Sequence, residues 1–172
     1  KSDTAAEVAN KLRKTNSYVD QGIQYKRNIV QELHPSILTT FGFWPALKSL
    51  IEDATERNQW ELTLSLPDEN THLNETLSLI VYRIAQETLN NANKYAKATK
   101  VSIHVIVDSQ YVKLEIEDNG VGFDMNALDG RTHGLSGMRH RVLAIGGHLE
   151  IISDSGKGVL TRALIPLDFE TI

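Results

Sequence analysis

The stretch Glu117-Asp118-Asn119-Gly120-Val121-Gly122-Phe123 decides how the rest of the chain is read. It follows the apolar run Val112 to Ile116, so a carboxylate and two glycines stand at the end of a predicted strand. Asp118 can then face a pocket mouth while the chain folds back with no Cβ in the way. In isolation Asp-Asn-Gly is ordinary turn chemistry, and the weight comes from two neighbours. Upstream, Glu87, Asn91 and Lys94 are spaced by four and three residues, which puts them along one face of a helix. Downstream lies His133-Gly134-Leu135-Ser136-Gly137-Met138-Arg139. There Gly134 and Gly137 are expected to flank the start of a helix at Ser136, whose free N–H groups and positive dipole end favour anions.

Together the three clusters describe a nucleotide site. Asp118 can accept a base amino group, Asn91 offers a neutral oxygen to Mg²⁺, and Glu87 can bind or orient metal-bound water. Lys94 and the backbone N–H groups suit phosphates. Each cluster also has a plainer reading: a solvated polar helix face, a hairpin turn, a capped helix. Only their order and spacing in one chain favour the site. The glycines match neither GxxxxGK[ST] nor a GxGxxG on a first strand, which removes the two commonest nucleotide-binding loops.

At 172 residues the chain suits one domain plus an extended helical piece. The net charge of −4 and the 18 dispersed Lys and Arg argue against direct nucleic-acid binding. With no cysteine, disulfides, thiol catalysis and Cys-based zinc sites are excluded. No apolar run reaches the length of a membrane span, so the expectation is a cytoplasmic piece. The opening Lys1-Ser2-Asp3 lies inside helix-like sequence, and a membrane-anchored sensor would have to lie outside this chain.

Thr4 to His34 carries Val8, Leu12, Val19, Ile23 and Val30 at gaps of four and seven, one apolar stripe on a long helix that Pro35 ends. Such a stripe calls for another helix, in this chain or in a second copy. Ser36 to Phe43 reads as a short apolar connection broken at Gly42. Trp44 to Asn58 reads as a helix with Leu47, Leu50 and Ile51 inward, and Trp60 to Leu66 as a strand. A third helix is expected from about Asn74, its cap, to Ala96, with Leu77, Ile80, Val81 and Ile84 toward the core. Strands follow over Lys100 to Val107 and Gln110 to Glu117. A mobile loop from Asp124 to His133, a helix from Ser136 to about Ile145 and strands at His148 to Ser153 and Val159 to Leu167 complete the reading. This is an α+β plan: a two-layer sandwich on a mixed sheet, not a doubly wound one.

The run Arg83-Ile84-Ala85-Gln86-Glu87-Thr88-Leu89-Asn90-Asn91-Ala92-Asn93-Lys94-Tyr95-Ala96 resembles the N box of sensor histidine kinases that pair with NarL-type response regulators. Asp118 to Phe123 resembles their first glycine box, and His133 to Arg141 their second. Ile29 to Leu38, with Phe41-Gly42-Phe43, is similar to the end of the second helix of the family's dimerisation hairpin. The resemblance implies the Bergerat (GHKL) ATP-binding fold over 43–172, preceded by that second helix over 1–42. By position it makes Asn91 the Mg²⁺ ligand, Glu87 its acidic partner in catalysis and Lys94 a phosphate contact. Asp118 would receive the adenine amino group and Gly120 and Gly122 would shape the base pocket. Gly134, Leu135 and Gly137 would meet the phosphates, and Asp124 to His133 would be a lid over ATP. It further implies a homodimer through helix 4–34 and phosphoryl transfer to a histidine, then to a NarL/LuxR-type response regulator.

The departures are equally specific. The acidic motif that carries the family's phosphoacceptor histidine does not occur, and His34 falls where an Arg commonly precedes Pro. Tyr95 replaces a His and His140 a Glu. Val159 stands where Thr commonly follows Gly-x-Gly, which leaves one polar contact beside the adenine unaccounted for. Two other functions remain open at this point: a nucleotide-binding module without transfer, and an anti-sigma-type serine kinase on the same fold.

Overall fold

In the computed structural model, residues 36–124 and 133–168 are described. The chain divides into two compact units, 1–40 and 41–172. The proposed long helix from Thr4 to His34 lies outside the described residues, and so does most of the proposed lid.

The second unit is organised by strand alternation. Five strands form one sheet: β1 (Glu61–Ser65), β2 (Lys100–Val107), β3 (Tyr111–Asp118), β4 (His148–Ser153) and β5 (Val159–Pro166), in the order β1-β2-β3-β5-β4. β1 runs parallel to β2, and every other pairing is antiparallel. Residues at period two on β2, β3 and β5 bury Val101, Ile103, Val105, Val112, Leu114, Ile116, Ala163 and Ile165 on a single face. The opposite face is polar, with Arg162 bridging Glu115 at 2.5 Å and Glu150 at 3.0 Å. The mixed sheet and α+β sandwich expected from the sequence are what the chain forms.

Helices cover the apolar face. After the short α1 (Ser36–Phe41), α2 spans Phe43–Asn58, α3 spans Glu75–Asn91 and α4 spans His133–Leu143. The Asn74 side chain caps α3 by accepting the Leu77 N–H at 2.9 Å. Leu77, Ile80, Val81, Ile84, Ala85, Thr88 and Leu89 form its buried stripe, the three-four spacing that the sequence advertises. Trp44 on α2 donates its indole N–H to the Thr71 carbonyl at 2.7 Å, holding the segment before α3 against α2.

Four assignments differ from expectation by more than a single residue at an element's end. Ser36 to Phe41 is helical, and Gly42, with φ 82°, marks the break after it. α3 does not run regularly to Ala96: Ala92–Ala96 form a π turn, closed by Lys97 at a left-handed φ of 53°. α4 starts at His133 instead of Ser136, so His133 belongs to a helix and not to the loop before it. It also ends at Leu143, before Gly146 and Gly147.

Candidate functional site

β3 buries Val112, Leu114, Ile116 and then Asp118 on the same face. Alternation thus carries a carboxylate onto the core side of the sheet, where it is 5% exposed. Its Oδ1 accepts the Gly120 N–H at 2.8 Å, and the Val159 N–H also bonds to the carboxylate. Among the described residues no Lys or Arg pairs with it. Burial pushes the Asp118 carboxyl above its ordinary value, the two N–H groups act in the opposite sense, and Glu117 adds to the rise. A desolvated carboxylate held by two backbone donors and facing a cavity is poised for a ligand's donor.

The loop after Asp118 is fixed on both sides. Asn119 Oδ1 accepts the N–H groups of Thr99 and Lys100, each at 2.9 Å, and the Val121 N–H reaches the Ala96 carbonyl at 2.7 Å. A Cβ at Gly120 would overlap that carbonyl, so the close approach of this loop to the end of the π turn depends on glycine. Gly122, at φ 57°, would bring a Cβ onto the Asp154 carbonyl. Ser153 ties in the far side, its hydroxyl accepting the Phe123 N–H at 2.9 Å and donating to the Gly158 carbonyl at 3.0 Å.

These elements enclose a cavity of about 530 Å³, a volume suited to a small ligand. The structure brings Glu87, Asn91, Lys94, Asp118, Gly122, Gly134 and Leu135 onto its wall. Gly120 and Gly137 are not on it. Gly120 stands behind, against Ala96. Gly137 is the fifth residue of α4, beyond the first turn whose N–H groups lack helical partners. Gly134 lies within that first turn, and the Glu87 carboxylate occupies the space that a side chain at 134 would need. Asn91 is half-buried and Lys94 exposed, a gradient from the enclosed sheet end to an open helix end. Among the described residues, no group of three His, Asp or Glu side chains is placed to hold a metal ion. A single Asn oxygen with one acid nearby suits an ion that brings phosphate oxygens with it.

Sequence reasoning missed several wall residues: Thr88, Tyr95, Phe123, Met138 and Thr161. Thr88 and Met138 touch across the α3–α4 contact, hydroxyl to sulfur at 3.8 Å. The signal for Thr161 was available, because it lies two residues beyond Val159 on one strand and therefore on the same face.

Residues 76–169 match the family described as histidine kinase-, DNA gyrase B-, and HSP90-like ATPase. The chain belongs to this ATPase family. Sensor histidine kinases of Bacillus subtilis are among the ATPase domain's relatives. ComP is 36% identical over 154 residues, covering 88% of this chain and 20% of that protein. LiaS is 26% identical over 165 residues, covering 96% and 45%. The chain therefore spans less than half the length of either relative. Among solved structures, the histidine kinase domain of a blue-light activated histidine kinase from Erythrobacter litoralis superposes with a TM-score of 0.61 at 19% identity, covering 72% of this chain and 60% of that one. Histidine kinase AdeS of Acinetobacter baumannii gives 0.59 at 16%, covering 98% and 87%. At such identities these two matches speak for the fold of the ATPase domain, and the relatives bear out the resemblance to sensor histidine kinases. Among the described residues no helix is long and apolar enough to cross a membrane.

Proposed function

We propose that this chain is the ATP-binding catalytic part of a sensor histidine kinase, delivering the γ-phosphoryl group of ATP to a histidine on a dimerisation helix outside the cavity. The observation that carries the reading is the union of Asp118, Asn91, Lys94 and Gly134 on one cavity wall, although they come from a strand end, two successive turns of a helix and the start of another. Asp118 would accept the adenine amino group, a role that its acceptor-only carboxylate fills and that guanine, with a carbonyl at that position, would oppose. Lys94 and the free N–H groups of the first turn of α4 would hold phosphate oxygens. Mg²⁺, bound through Asn91 and phosphate oxygens with Glu87 nearby, would supply charge neutralisation at the phosphates. Gly120 would support the base pocket from behind.

In the transfer, the acceptor imidazole nitrogen bonds to the γ-phosphorus while the bond to the β–γ bridging oxygen breaks and ADP departs. The chain's part is to position and to screen charge. Residues 43–172 would be the catalytic domain and 1–42 the second helix of a dimerisation hairpin. That helix would pair in a homodimer, and a response regulator of NarL/LuxR type would receive the phosphoryl group. The parent protein would work at the cytoplasmic side of the inner membrane.

The test joins the chain to the upstream segment of its parent and supplies labelled Mg·ATP. Acid-labile, base-stable label that persists in His34→Gln is the expected result. Nucleotide binding with no acid-labile label would favour a non-transferring module, and acid-stable label on serine would favour the anti-sigma-type reading.

A further inference from the structure

Thr161 is 2% exposed, lies on β5 opposite Ile116 and forms part of the same cavity wall as Asp118 and Val159. Val159 is the register partner of Asp118, so the two β5 residues flank the carboxylate from one strand, on one face. Val159 contributes its backbone N–H to Asp118, but its side chain offers no polar atom to a ligand. The Thr161 hydroxyl forms no hydrogen bond within the described residues. No fully enclosed side-chain oxygen there lacks a partner either, so this hydroxyl keeps access to the cavity. A nearly buried hydroxyl without a protein partner, beside a desolvated carboxylate, is costly for folding and useful to a ligand.

We propose that Thr161 is a base-contacting residue of the cavity, its hydroxyl bonding N1 or N7, the ring nitrogens that flank the purine amino group from which Asp118 accepts. A hydroxyl can donate to an unprotonated ring nitrogen, directly or across one water. It would thereby provide the polar contact that Val159 cannot make. The proposal rests on the nucleotide reading of the cavity and goes beyond it by assigning a residue that the sequence motifs do not name.

The experiment is calorimetric titration of the full chain and of Thr161→Val and Thr161→Ser with ATP, 1-deaza-ATP and 7-deaza-ATP. Thr161→Val keeps the shape and removes the hydroxyl. It should weaken ATP about three- to tenfold, while thermal stability stays level or rises because no protein hydrogen bond is lost. Thr161→Ser should stay within about twofold of wild type. One deaza analogue should bind wild type more weakly and lose nothing further in Thr161→Val, because both changes delete the same contact. ATP affinity unchanged in a folded Thr161→Val, or losses that add for both analogues, would overturn the assignment. Failure of wild type to bind any of the three would instead overturn the nucleotide reading itself.

Discussion

The two ends of the cavity are built differently. At the sheet end, Asp118, Val159 and Thr161 are presented by paired strands in fixed register, with Asp118 and Thr161 buried. At the helix end, Asn91 and Lys94 straddle the change from α-helix to π turn. Gly134 there lies in the first turn of α4. The sheet end thus has its geometry set by backbone hydrogen bonding before any ligand arrives. The helix end presents exposed groups such as Lys94, which under the proposed reading would meet the phosphates. Under the proposed reading, the base would meet the strand-built wall and the phosphates the helix-built one.

That contrast can be broken at either wall. The largest effect is expected at the sheet end from Gly122→Ala, which would place a Cβ on the Asp154 carbonyl at a positive φ. Denaturant unfolding should show a loss of about 2 kcal/mol or more, and a loss below about 0.5 kcal/mol would mean that this loop is not fixed as described.

Next in size is the pH response of Asp118→Asn. The folded-state pKa of Asp118 is raised from its ordinary 3.8 by burial. Its contribution to stability is therefore greatest at low pH and declines as pH rises through the raised value. Compared with Asp118→Asn, wild type should lose stability progressively as pH increases above about 4. The opposite slope would contradict the burial argument.

At the helix end, Gly134→Ala displaces only the far end of the Glu87 side chain. Stability should hold or rise by up to about 1 kcal/mol, while Mg·ATP affinity falls. Unchanged affinity would separate Glu87 from the site. The smallest effect is expected for Lys97→Gly. It relieves a left-handed residue at the cost of backbone entropy, for a net gain of about 0.5–1 kcal/mol in thermal or denaturant unfolding. A loss would show that Lys97 is held by more than the turn.

The same division explains what could be read from sequence. Strand periodicity is a rule of two, so Val112, Leu114, Ile116 and Asp118 announce a carboxylate on the apolar face, and β2 and β4 fall where the alternation places them. The stripe of α3 was equally legible from Leu77 to Ile84. Helix continuation past Asn91 was not, because Ala92-Asn93-Lys94-Tyr95-Ala96 fits an α-helix as well as a π turn by propensity, and the choice is made by tertiary packing. The start of α4 was misplaced for a related reason. Glycine is a poor helix former, so Gly134 and Gly137 read as boundary residues although both lie inside the helix. Thr161 went unassigned because motif reading stopped at Val159, whereas the cavity wall continues two residues further along β5.

In the proposed reading the cavity is one ligand site with a base end on the sheet and a phosphate end on the helices. The direct measurement is calorimetric binding of adenosine and of Mg·ATP to wild type, Asp118→Asn and Asn91→Ala. Asp118→Asn should weaken both ligands by a similar factor, because both present the same base to the same carboxylate. Asn91→Ala should leave adenosine unchanged and weaken only Mg·ATP. Equal affinities across the three proteins, or a loss of adenosine binding in Asn91→Ala with Asp118→Asn unaffected, would contradict it.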